Sequence, residues 1–178
     1  MVNGRVQIII DGNNLDMCSP PQWRMNLNKF VSHVFGLFGP IAEPRLYYSS
    51  FTGESNSLSM TLRNMGIKVI YETPKTSRRW GKTTTHADVD WSIISDVYEL
   101  YLDDKFDTLV FVSGDGDFYR MLKSLSLRGI RVIIMSFKES TNHRLKEFEF
   151  VDLNTLLRVL KLETTGQGRN NILEHFAP

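Results

Sequence analysis

Apolar residues follow two rhythms along this chain. Short continuous runs at Val6–Ile10, Leu46–Phe51, Lys68–Tyr71, Leu109–Ser113 and Val132–Ser136 are bounded by Gly, Asp, Ser or Asn and predict buried strands. Between them, Leu27, Phe30, Val31, Val34, Phe35 and Phe38 recur at steps of three and four, as do Phe118, Met121, Leu122 and Leu125, which predicts amphipathic helices. Unbroken apolar runs suit a parallel sheet, and their alternation with helical segments predicts βαβ units. Gly66 in NMGIKVIY and Gly129 in LRGIRVII each follow a helical pattern and precede a strand, the place of a left-handed helix cap.

Other stretches lack such periodicity. Residues 72–87, ETPKTSRRWGKTTTHA, read as a long exposed loop whose cations Lys75, Arg78, Arg79 and Lys82 follow Glu72 with no further anion. Asp96, Glu99 and Asp103 lie opposite an apolar stripe of Trp91, Ile94, Tyr98 and Tyr101, so they read as a solvated helix face. Trp23 and the Tyr47-Tyr48 pair are expected to be packing residues. After a final helix around Asn154–Lys161, residues 163–178 form a Gly/Asn-rich extension that could pack against a second copy or a protein partner, leaving residues 1–162 as one domain.

Composition narrows the class. The chain has 178 residues, 42% of them hydrophobic, enough for a substantial core. Lys and Arg total 21 against 20 Asp and Glu, so bulk charge does not announce a polyanionic partner and any such argument must be local. The single Cys18 cannot form an intrachain disulfide, and no Cys/His cluster has zinc spacing, which predicts a reducing compartment and a buried, inert thiol. The N-terminal apolar run is too short for a signal peptide and none reaches bilayer length, so a cytoplasmic protein with no membrane partner is expected.

The local chemistry is acidic. Carboxylates gather in IIIDGNN with Asp11, Asn13 and Asn14, in HADVDWSIISD with Asp88, Asp90 and Asp96, and in SGDGDF with Asp115 and Asp117. Asp11 and Asp115 follow strands, and open α/β sheets bind ligands beyond the carboxyl ends of their strands. Like charges placed together repel unless a cation sits between them, and an all-oxygen donor set selects a hard ion, Mg²⁺ or Mn²⁺. Gly114 and Gly116 are expected to let the backbone turn so that both carboxylates face one side, with Ser113 hydrogen-bonding a carboxylate.

Simpler roles exist for each acid. Asp11, Asp90 and Asp115 could cap helices, with Asp88 in reserve for Asp90, and Asn14 could close an Asx turn or hold Asp11. Asp96 is placed behind the metal ligands rather than among them. A crowd of carboxylates repels a polyanion unless cations flank it, and Arg78, Arg79, Lys82, Lys75 and the stackable Trp80 would supply phosphate contacts and a base platform for a single strand. His86 reads as a bystander.

The segments IIIDGNNL, ADVDWSIISDVYEL, KFDTLVFVSGDGDF and RGIRVII resemble, in order and spacing, the NYN domains of the PIN-like nuclease superfamily, especially the LabA-like group. The closing LKEFEFVDL is similar to the family's final stretch, so the likeness runs from Val6 to Leu153. Family members often carry a Lys-Gly pair before the helix-start acid, where this chain has His86-Ala87. The resemblance implies a three-layer α/β/α Rossmann-like fold around a mainly parallel sheet of about five strands. It also implies metal-dependent RNA endonuclease activity leaving a 5′-phosphate. Asp11 and Asn14 match the first motif, Asp90 and Asp96 the second, Asp115 and Asp117 the third.

The expectation is therefore a Mg²⁺- or Mn²⁺-dependent ribonuclease acting on single-stranded or loop RNA, with Asp11, Asp90, Asp115 and Asp117 on the metal. The alternative is a regulatory module that binds RNA without cutting it. A sugar-nucleotide transferase, a Toprim domain and a haloacid-type phosphatase fit less well, because the first strand lacks Toprim's glutamate and DGNN lacks the phosphatase's second aspartate.

Overall fold

The computed structural model describes residues 5–21, 23–50, 56–79, 82–86 and 89–161, with backbone alone at 56–59, 75–79 and 82–86. The elements run β1 (Val6–Asp11), α1 (Gly12–Cys18), α2 (Leu27–Phe38), β2 (Arg45–Ser49), α3 (Asn56–Asn64) and β3 (Lys68–Glu72). They continue with β4 (Lys75–Arg79), β5 (Lys82–His86), α4 (Val89–Leu102), β6 (Thr108–Val112), α5 (Tyr119–Leu127), β7 (Arg131–Ser136), β8 (Glu149–Asp152) and α6 (Leu157–Leu160). Six strands form one sheet in the order β3-β2-β1-β6-β7-β8, every neighbouring pair parallel. No helix among the described residues is long and apolar enough to cross a membrane.

Strand alternation builds a layer on each face. Ile8 and Ile10 of β1 point with Val110 and Val112 of β6 toward Leu15 of α1 and Phe30 and Val34 of α2. Ile9, with Phe111 and Ile134, points the other way, toward Ile93 and Val97 of α4 and Leu122 and Leu125 of α5. Because both faces are covered, the central strands β1, β6 and β7 are largely apolar, and each such isoleucine or leucine stabilises the fold by about 1.5–3 kcal/mol. Gly66 and Gly129 end helices with φ of 73° and 89°, the left-handed caps that the sequence predicts.

Several elements depart from the sequence reading. The sheet has a sixth strand, β8, whose four residues EFVD carry acids at both ends and too short an apolar run to register. Helix α1 has no apolar stripe to mark it, only Gly12 and Leu15 being buried, and it starts on the Asp11 side-chain cap that the sequence offered as that residue's simpler role. The expected long loop over 72–87 is a hairpin, β4 pairing antiparallel with β5 from Lys75 opposite His86 to Arg79 opposite Lys82. Its Lys, Arg, Ser and Thr residues provide a backbone ladder without an apolar stripe.

Helix α4 also faces differently. It buries Val89, Ile93, Val97 and Leu100, while Ile94, Tyr98 and Tyr101 flank this stripe and Trp91 is 71% exposed. Asp96 is therefore not on a solvated face. Its Oδ2 accepts from Arg45 Nη1 at 2.6 Å and from the Tyr47 hydroxyl at 2.7 Å. Tyr47 packs as expected, and burial, followed by the bond to Asp96, raises its hydroxyl's pKa. Trp23 is buried edge-on to Phe137 and donates its indole N–H to the Leu157 carbonyl at 3.0 Å.

Truncating Asp96 leaves the Arg45 guanidinium, whose Nε is buried without a partner, and the Tyr47 hydroxyl uncompensated. Asp96→Ala is expected to lower stability by about 2–3 kcal/mol in a denaturant titration. Divalent-metal affinity of the folded protein is expected to stay within about threefold of the parent, because the apolar stripe already fixes α4.

Candidate metal centre

The chain starts in β1, steps outward through β2 to β3, and returns by α4 to β6 on the other side of β1. That reversal opens a crevice at the carboxyl ends of β1 and β6, the switch point where open α/β sheets take ligands. The register places Ile10 beside Val112, so Asp11 and Ser113 emerge next to one another. Ser113 Oγ donates to Asp11 Oδ2 at 3.0 Å and accepts the Asp115 backbone N–H at 3.1 Å. Asn14 ties the same loops: its N–H donates to Asp11 Oδ1 at 3.1 Å, and its Oδ1 accepts from Gly114 N at 2.9 Å.

The acid loop is a short 3₁₀ turn, Gly116–Phe118, capped by Asp115, whose Oδ1 accepts from Asp117 N at 2.9 Å. Phe118 is fully buried and packs on Phe111 with ring centroids 4.9 Å apart, which anchors the turn to β6. On the other side of the crevice, buried Val89 seats the start of α4 and presents Asp90 in its first turn. Carboxylate oxygens of Asp90, Asp115 and Asp117 all lie within 4.8 Å of one another, with Asp90 and Asp117 exposed and Asp115 half-buried. Three converging oxygen donors, open to solvent, suit a hard divalent cation that retains water.

The two glycines serve space rather than backbone freedom. Neither Gly114 nor Gly116 has positive φ. A Cβ at Gly114 would stand 2.7 Å from Ser136 Oγ and 3.2 Å from Thr141 Cα, and one at Gly116 would run into the Asn142 side chain. The segment after β7 presses on the acid loop, and only glycine leaves room for it. Asn142 donates its N–H to the Gly114 carbonyl at 2.9 Å, a role that no apolar pattern or charge cluster signals; its one mark in the sequence is the Asx cap it places on the turn His143–Glu147.

Asp11 stands behind the other three. It is 4% exposed and lies outside the group whose oxygens converge. Burial raises its pKa to about 6, against the hydrogen bonds from Asn14 and Ser113, and the charges of Asp90 and Asp115 raise it further. Asp90 is also raised, first by burial and then by Asp115 and Asp117. Asp96 is bonded to Arg45 and Tyr47 instead of to these acids. Trp80 and Asp88 lie outside the described residues, as do the side chains of Lys75, Arg78, Arg79 and Lys82, whose backbone forms the β4–β5 hairpin. Cys18 is half-buried, its thiol 3.9 Å from Asn14 Oδ1.

The NYN domain family matches residues 5–154, and the chain belongs to that family, within the PIN-like nuclease superfamily. An uncharacterized protein of Methanocaldococcus jannaschii is 28% identical over 131 residues, which cover 74% of this chain and 47% of that protein, so the chain spans about half of that relative's length. A crystal structure of a protein of unknown function from Vibrio parahaemolyticus superposes with a TM-score of 0.69 at 22% identity, covering 89% of this chain and 96% of that one, which supports the fold.

Asp11 yields a pH prediction with a definite sign. Its folded pKa of about 6 exceeds the ordinary 3.8, so its contribution to stability is present at low pH and is lost as pH rises through 6. Relative to Asp11→Asn, the metal-free parent is expected to lose on the order of 2 kcal/mol between pH 4 and pH 7. Denaturant midpoints of both proteins in EDTA check this, and saturating Mg²⁺ or Mn²⁺ should shrink the loss.

Proposed function

We propose that this chain is a divalent-metal-dependent ribonuclease that hydrolyses phosphodiester bonds of single-stranded or loop RNA in the cytoplasm. The observation that carries this reading is the convergence of Asp90, Asp115 and Asp117 at the sheet's switch point in an NYN domain. Asp90, Asp115 and Asp117 would hold Mg²⁺ or Mn²⁺, with Asp11 adding negative charge from behind. When bound, such an ion polarises a phosphate oxygen and lowers the pKa of water.

The chain's own groups do the positioning. Ser113 and Asn14 lock the β1 and β6 loops together, so the acids on them keep their spacing without help from substrate. Lys75, Arg78, Arg79 and Lys82 sit on a hairpin preceding α4, and we assign them to the strand's phosphates, with Trp80 between them as a stacking residue. Trp91 adds an exposed indole beside Asp90, suited to stacking a base.

Labelled RNA incubated with Mn²⁺ or Mg²⁺ tests the reading. Asp115→Asn is expected to slow cleavage more than about 100-fold, beyond the ~10–100-fold typical of groups that only support a ligand. Equal activity in parent and variant would end the catalytic assignment. RNA held intact with EDTA-insensitive, salt-sensitive affinity would make the chain a binding module instead. Trp91→Ala is expected to raise KM about tenfold with kcat nearly unchanged, as loss of one stacked base requires.

A further inference from the structure

The connection from β7 to β8 carries cations that have no part in the proposed hydrolysis. Asn142 fixes this segment to the acid loop through its bond to the Gly114 carbonyl and its seat against Gly116. Its Oδ1 accepts from Arg144 N at 3.0 Å and starts the turn His143–Glu147, which buried Leu145 pins to the core shared with α4 and α5. The segment is thus held in register with Asp115 and Asp117.

Its polar groups divide sharply. The nearby acids are engaged: Glu147 with Lys123 at 2.7 Å and the Tyr119 hydroxyl at 3.2 Å, Glu139 with Asn154 at 2.7 Å, Asp152 with Asn154 N at 3.0 Å and Lys138 N at 3.3 Å. Lys146 Nζ is directed to the Lys138 carbonyl at 3.0 Å. Lys138, His143 and Arg144 are exposed and have no ion pair among the described residues. The Arg144 guanidinium lies over the Tyr119 ring, 5.6 Å from its centroid, so it is oriented without a counter-ion.

We propose that this segment is a second phosphate-binding arm of the site, in which Arg144 and Lys138 contact the backbone of single-stranded RNA on the Asp117 side of the acids. The physical need is local: acids gathered in one crevice repel a phosphodiester chain, and cations offset that repulsion only within a Debye length of about 8 Å. Arg144 suits the task because its planar fork grips phosphate oxygens while its face rests on Tyr119. The ligand's identity rests on the ribonuclease reading, but the arm itself is tested by binding alone.

The test uses the full chain carrying Asp115→Asn, with a fluorescent single-stranded RNA in EDTA, titrated across salt concentrations. Adding Arg144→Gln and Lys138→Gln is expected to weaken binding about tenfold and flatten the slope of log K against log salt by about 1.4, or ~0.7 for each phosphate that is no longer neutralised. Removing equal charge at the opposite end of the sheet, Lys105→Gln with Arg128→Gln, is expected to leave the slope unchanged. Arg144→Lys should restore the slope but not all the affinity. An unchanged slope in the arm variant, with the parent still cutting RNA, overturns the arm and leaves the ribonuclease standing. A chain that binds an acidic peptide through these residues and no RNA overturns both.

Discussion

Parallel pairing of β1 with β6 is the constraint from which the rest follows. It sets Ile10 against Val112, and the two chains then leave the sheet as Asp11 and Ser113, close enough to share a hydrogen bond. A slip of one residue would trade Ile8 and Ile10 for Ile9 between two apolar cores and would turn buried Gln7 away from the Glu43 carbonyl to which its amide donates at 2.9 Å, so this buried polar contact marks the register. The acid site inherits that precision. It is built where the sheet reverses direction, and the same reversal keeps the crevice open, because the connections to β2 and β7 depart to opposite sides.

Capping and metal binding are compatible here, and the hydrogen bonds show how. Asp11 uses both oxygens internally, one on the Asn14 N–H and the other on Ser113, and it stays out of the converging group. Asp115 caps its turn with Oδ1 alone, and Oδ2 has no hydrogen-bond partner among the described residues. One carboxylate is thereby consumed by structure and the other is left with an oxygen uncommitted by the fold. Repulsion among the acids is tolerated because the loops that carry them are tied by Ser113 and Asn14, both of which bond backbone amides as well as side chains or carboxylates.

The central strands are legible in the sequence because their apolar runs are unbroken, and the caps at Gly66 and Gly129 because left-handed backbone demands glycine. The acids at the strand ends are visible for the same reason: strand, then turn, then carboxylate. Elements without an apolar signature are not. Helix α1 rests on a cap and two buried residues, β8 on four residues, and the β4–β5 hairpin on backbone pairing. On α4 two candidate stripes overlap, and spacing alone cannot say which one meets the sheet; a stripe drawn through Trp91 instead of Ile93 puts Asp96 on solvent and conceals its bonds to Arg45 and Tyr47. Gly114 and Gly116 show a related limit. Their presence suggests a sharp turn, whereas the cause is a segment more than twenty residues later in the chain that presses against them.

Helix α4 separates stability from chemistry by rotation and by height. Its buried stripe of Val89, Ile93, Val97 and Leu100 fixes the axis against the sheet. Asp96, 26% exposed, satisfies a guanidinium and a hydroxyl that β2 brings under the helix. Asp90 and Trp91 occupy the first turn, about 9 Å away along the axis at the usual rise per residue, where neither is needed to hold the helix down. A carboxylate required by the fold spends its acceptors there, Asp11 through both oxygens and Asp96 through Oδ2. On α4 the residues free to meet a cation or a base are therefore those its packing does not use, and they are the ones that reach the crevice first.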